Sequence, residues 1–103
     1  MLFTNDELSY LLPAVEEYRP EQMSVEYNKN YKQCKSVYQS CIDKLNNLSG
    51  TTEFTTQELT YMAVSTANII DNMADANIQI PALLNALHDK CLNLLKEASN
   101  PNN

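Results

Sequence analysis

Two stretches, Phe3-Thr4-Asn5-Asp6-Glu7-Leu8-Ser9-Tyr10 and Phe54-Thr55-Thr56-Gln57-Glu58-Leu59-Thr60-Tyr61, share the pattern F-T-x-x-E-L-[S/T]-Y. Each contains a full helix start. Thr4 and Thr55 stand where an N-cap hydroxyl accepts from the backbone of the first turn. Glu7 and Glu58, three residues on, reach back to the N-cap amide and complete a capping box. Phe3 and Phe54 precede the caps and can pack on Leu8 and Leu59 as hydrophobic staples. Two helices therefore begin near residues 4 and 55. The first is expected from Asn5 to about Tyr18, with Leu8, Leu11, Leu12 and Val15 as its apolar stripe. Pro13 lies inside it and removes one backbone donor, so it should kink or shorten the helix. Arg19-Pro20 marks the boundary, since the residue before proline is pushed out of the α region. The helix opened by Thr55 is expected from Thr56 to about Ala76, with Leu59, Met62, Ala63, Thr66, Ala67, Ile70 and Met73 on one face.

Each of these helices is followed by a second apolar stripe. From about Pro20 or Ser24 to Leu48, the positions Tyr27, Tyr31, Cys34, Tyr38, Cys41, Leu45 and Leu48 recur at alternating steps of four and three, widened by Val37 and Ile42. That is a helical seam. Gly50 follows at a place suited to a left-handed C-terminal cap. From about Pro81, a good first helical residue, to Ala98, the stripe is Leu84, Leu87, Cys91, Leu94 or Leu95, and Ala98. The fold class expected is all-α: one domain over 1–99, a four-helix bundle of two αα-hairpins at about 4–48 and 55–98, with a disordered tail at 100–103. A shift of about fifty residues also brings Cys41-Ile42 near Cys91-Leu92. Internal duplication is one account of the echo. The other is that both helices simply need good starts.

Composition narrows the function classes. The chain has 103 residues and one glycine, Gly50. No Gly-rich loop can cradle a phosphate, and turn-rich β folds are disfavoured. Net charge is −6, unevenly placed: residues 27–48 carry four lysines and one aspartate, while 49–80 carry four acids and no base. No Lys or Arg lies between Lys44 and Lys90. Phosphate backbones and anionic membranes repel such a chain, so neither direct nucleic-acid binding nor membrane binding is expected. No apolar run approaches the roughly 20 residues of a bilayer span. The first residues lack a basic segment followed by a long apolar one, so a secretory leader is not expected. Cys34, Cys41 and Cys91 then read as reduced thiols in a cytoplasmic protein.

Few constellations carry chemistry. His88-x-x-Cys91 places two metal-ligand types one turn apart. Cys34 and Cys41, about 10.5 Å apart along a regular helix, cannot both complete one tetrahedral site. Activation of Cys91 by His88 would leave no oxyanion hole. Asp71 and Asp75 are an i, i+4 pair on a solvated face, and Glu-x-x-His motifs for a di-iron site are missing. Lys29, Lys32 and Lys35 form the basic patch of the second helix, but acidic neighbours argue against a DNA reader. No enzyme, cofactor or metal is expected.

Tyr10 and Tyr61, the closing residues of the two echoes, lie roughly opposite their helices' apolar stripes by periodicity. On the third helix Tyr61, Val64, Asn68, Asp71 and Asp75 follow one helical line. Interfaces favour tyrosine and disfavour lysine. The expected function is a small acidic protein-binding module, of inhibitor, adaptor or immunity type, with Tyr10, Tyr61, Val64, Asn68, Asp71 and Asp75 toward a basic partner protein. The Asn-rich, Gly-poor composition is compatible with an AT-rich bacterial or phage genome, and a phage-encoded protein aimed at a host nucleic-acid-binding or defence protein is one form of the expected function. The alternatives are self-association through the second helix's seam, giving a homodimer, and, behind it, a DNA-binding regulator.

Overall fold

Both capping boxes form. Thr4 Oγ1 accepts from the Glu7 amide at 3.1 Å, and Glu7 Oε1 accepts from the Thr4 amide at 2.8 Å. At the second copy the distances are 3.1 Å to Thr55 Oγ1 and 2.7 Å to Glu58 Oε1. The computed structural model describes residues 2–20 and 31–99, the side chains of 31–33 excepted. Among the described residues there are four helices and no strand: α1 (Asn5–Glu17), α2 (Tyr31–Asn46), α3 (Thr56–Asp75) and α4 (Ala82–Ser99). They pack as a four-helix bundle. The Cα radius of gyration, 13.6 Å, is close to the value of about 13 Å for a compact chain of this length.

The arrangement is not a ring of equal neighbours. α1 and α3 each pack against all three other helices, while α2 and α4 touch each other little. The two capped helices therefore form the centre. Phe3, Leu11, Val15, Met62, Leu84 and Leu87 are fully enclosed there. Each such side chain contributes about 1.5–3 kcal/mol relative to exposure. Phe3 and Phe54 meet edge to face, ring centroids 6.0 Å apart, so the residues before the two caps pack on one another. The α2 seam faces this core: Cys41 and Leu45 are buried, and Val37, Tyr38, Ile42 and Leu48 are half-buried against it. The described positions of that seam are thus engaged within the fold. Tyr27 and the side chain of Tyr31 lie outside the described residues, as do the first expected turns of the second helix and the tail 100–103.

Several helix ends differ from expectation. Pro13 does not end α1: it sits exposed within the helix, which runs on to Glu17. Its missing donor leaves the Ser9 carbonyl without that intrahelical bond, on a side that water reaches. α2 ends at Asn46, and Gly50 does not adopt a left-handed conformation. The turn is instead held by Ser49 and Thr52, whose hydroxyls bond each other while Thr52 Oγ1 accepts the Ser49 amide at 2.9 Å. The left-handed residue is Asn77, φ 58°, after α3. The Ile78 amide donates to Met73 O at 2.8 Å and the Asn77 amide to Ala74 O at 3.1 Å. Those two bonds are the Schellman pattern. Pro81 precedes α4 rather than opening it, and its carbonyl accepts the amides of Leu84 and Asn85 at 3.0 and 3.3 Å.

Candidate functional site

The strongest polar constellations are two matching clamps built on the caps. Lys90 of α4 reaches Glu7 at 3.0 Å and lies 5.1 Å from the centre of the Phe3 ring. Lys44 of α2 reaches Glu58 at 2.7 Å and lies 5.6 Å from the Phe54 ring centre. Each lysine thus pairs with the N3 glutamate of the other hairpin's capped helix and covers the aromatic ring beside it. Matching Lys44 to Lys90 implies a shift of forty-six residues, which sets Cys41 beside Leu87 and Leu45 beside Cys91. The phenylalanines and glutamates of the clamps are instead related by a shift of fifty-one, so no single shift relates the two clamps.

Glu58 is the more deeply set carboxylate, 2% exposed. It accepts from Lys44, from the Thr55 amide and, through its second oxygen, from a short bond with the Ser40 hydroxyl. Burial alone would raise its pKa. The bonds from Lys44, Ser40 and the Thr55 amide outweigh burial and hold it below the ordinary glutamate value. Glu7 balances the same way: burial raises, while the Thr4 amide and Lys90 lower it further. These carboxylates are ionised and fully partnered. Neither suits proton transfer at neutral pH.

The other titratable candidates are similarly committed. Burial pushes the thiols of Cys41 and Cys91 up to about 12, with Glu58 adding to the effect at Cys41. Such thiols are not nucleophiles near neutrality. All three cysteines are free, and Cys34 is half-buried. His88 Nδ1 lies 2.8 Å from Thr66 Oγ1, which in turn bonds the carbonyls of Met62 and Ala63 at 3.0 Å. The Thr66 hydroxyl is thus shared between His88 and those two carbonyls. Among the described residues no three His, Cys, Asp or Glu side chains converge as metal ligands. A groove of about 160 Å³ beside Arg19, Pro20, Lys35, Tyr38 and Gln39 is below the roughly 300 Å³ of ordinary ligand pockets. The depression along Lys35, Ser36, Gln39, Ser40, Asp43 and Lys44 is lined, among the described residues, by one helix. Lys29 and the Lys32 side chain lie outside the described residues; Lys35 is exposed.

The expected binding face divides. Tyr61 is not on the surface: it is 5% exposed, and its hydroxyl makes a short hydrogen bond to the Tyr18 carbonyl. Its ring lies 5.9 Å from both Tyr18 and Tyr38. Burial first, then the neighbouring Tyr38, drives its hydroxyl pKa far above the ordinary value. The cause is the central place of α3. A helix packed on several sides buries more than one stripe, so Glu58, Tyr61 and Ser65 are enclosed along with Leu59 and Met62. Tyr10 is half-buried and packs against the core. Val64 and Asn68 are half-buried, whereas Asp71 and Asp75 are exposed.

Those two aspartates sit awkwardly. They occupy the final turns of α3, which has no base in its last turn. The negative end of the helix dipole disfavours Asp75, in the last turn, by about 0.3–1 kcal/mol, and the i, i+4 spacing of the two acids adds repulsion. Among the described residues the ion pairs are Lys44–Glu58 and Lys90–Glu7, and neither aspartate belongs to one. Just beyond them stand exposed Ile78 and, on the first turn of α4, Leu83. Sequence reading did not select these two. The available signal was Asn77 directly after the α3 stripe, which fits a left-handed cap and places the next side chain outside the helix. No helix among the described residues is long and apolar enough to cross a membrane. No protein-family model, curated protein or solved structure matches the chain.

Proposed function

We propose that the chain is a non-enzymatic protein-binding module that presents acidic surface of α1 and α3 to a basic partner protein, in an inhibitor, adaptor or immunity-type role. The observation that carries the reading is the far part of α3. Asp71 and Asp75 stand exposed and unpaired among the described residues, on a helix end that disfavours them. Val64 and Asn68 continue the same helical line toward the core. Charge complementarity at such a surface speeds encounter and selects partners. The buried and half-buried polar groups support the same reading, because Glu7, Glu58, Thr66 and His88 are already engaged within the fold.

The test is affinity capture with mass spectrometry, comparing the wild type with an Asp71→Lys/Asp75→Lys variant. Loss of a captured basic protein, together with steep weakening as salt is added, is the expected outcome. Identical capture by both proteins would remove the α3 face from consideration. A flat salt response would sink the charge argument.

A further inference from the structure

The corner where α3 turns into α4 carries exposed apolar side chains on an ordered backbone. Ile78 is 56% exposed and Leu83 36%. Ile78 is also fixed: its amide is bonded to Met73 O, and Asn77 holds the left-handed turn before it. An apolar side chain therefore projects from an ordered backbone. Asp75 closes α3 three positions before Ile78, Asp71 stands one turn earlier, and residues 76–87 contain no charged side chain. The clamp lysines are held elsewhere, on Glu58 and Glu7. Glu58 precedes Asp75 by seventeen positions, about 25 Å along α3.

Resting on the protein-binding reading, we infer that this corner is the docking surface, and that its partner is a protein segment with an apolar face bordered by lysine or arginine. Ile78 and Leu83 supply the apolar contact, and an already ordered backbone loses little further freedom on binding. Asp71 and Asp75 choose the partner's charge. They reject acidic surfaces, including the same corner of a second copy, and so work against self-association through this face. They also reject nucleic acid.

The probe is a synthetic amphipathic helix with leucine on one face and lysine on the other, titrated into the whole protein and followed by amide NMR. A matched peptide with glutamate in place of lysine is the control. Shifts with the lysine peptide should centre on 71–83 and be missing with the control. Ile78→Gln should weaken binding about tenfold, the effect of losing a central apolar anchor, and leave the salt dependence unchanged. Asp71→Asn/Asp75→Asn should flatten the salt dependence. Both variants alter exposed side chains, and circular dichroism checks that helix content is kept. Shifts confined to the acids of α1 would overturn the corner as the site and leave the protein-binding reading standing. No shifts with the lysine peptide would overturn both. Equal binding of the two peptides would overturn the charge selection.

Discussion

At the first F-T-x-x-E-L motif the phenylalanine is wholly enclosed while the glutamate side chain keeps 12% of its surface; at the second, Phe54 is only half-buried and the glutamate side chain keeps 3%. The same residue types at the same spacing make the same cap, the same aromatic cover and the same lysine contact. They differ in which partner is sealed from water. Phe3 belongs to the core cluster, with Phe54 against its edge and Lys90 over its face, so its ring is the enclosed element. Glu58 faces α2, which supplies Ser40 as well as Lys44. A repeated local motif thus specifies local hydrogen bonds, and its surroundings decide where the energy resides.

That contrast can be broken by crossed substitutions. The largest effect is expected for Phe3→Ala, about 4 kcal/mol of unfolding free energy, from lost burial plus the cavity left behind. Phe54→Ala should cost about half as much because its ring is partly wet already. Urea unfolding of the two variants gives the ratio, and equal losses would erase the asymmetry. The carboxylates should rank the other way. Glu58→Ala removes the cap and strips Lys44 and Ser40 of their acceptor, at about 3 kcal/mol. Glu7→Ala removes a cap and a better-solvated pair, at about 1 kcal/mol.

Acid should sharpen the same ranking. Both glutamates have folded pKa values below their ordinary 4.5. A depressed folded pKa adds stability that is complete above the unfolded value and fades as pH falls through the folded one. Melting temperature should therefore drop on acidification from about pH 5 to about pH 3. Glu58→Gln should flatten that slope more than Glu7→Gln does. The smallest effect is expected at Gly50, which needs no left-handed backbone and has open space around a would-be Cβ. Gly50→Ala should be neutral or stabilising by up to about 1 kcal/mol, through the unfolded chain alone. A loss there in thermal melts would show that the turn between α2 and α3 relies on glycine after all.

The caps and helix stripes could be read from sequence because they depend on neighbours three or four positions away. Thr4 with Glu7 and Thr55 with Glu58 need nothing else to form. The lysines that complete them could not be read so. Lys90 meets Glu7 across eighty-three positions, and only the packing order of the helices brings them together. Tyr61 failed for a related reason. Periodicity assigns a helix one buried stripe, which suits α4, but α3 has neighbours on several sides and encloses tyrosine and glutamate too. The exposure of Asp71 and Asp75 was legible, since two acids four positions apart suit a solvated helix face. Ile78 was not, because its exposure follows from the backbone hand of Asn77 rather than from any pattern of apolar residues.

The span of the two clamps also bears on the order in which the protein assembles. Lys44 and Glu58 are fourteen positions apart, whereas Glu7 and Lys90 are eighty-three apart. Closing the longer loop costs about 1.6 kcal/mol more in chain entropy. During synthesis the Lys44–Glu58 pair is complete once α3 has begun to emerge. The motif translated first must wait for almost the last helix, so α1 carries a finished cap but an unanswered carboxylate until α4 arrives. Ribosome-bound chains that stop before Lys90 would hold the second clamp without the first.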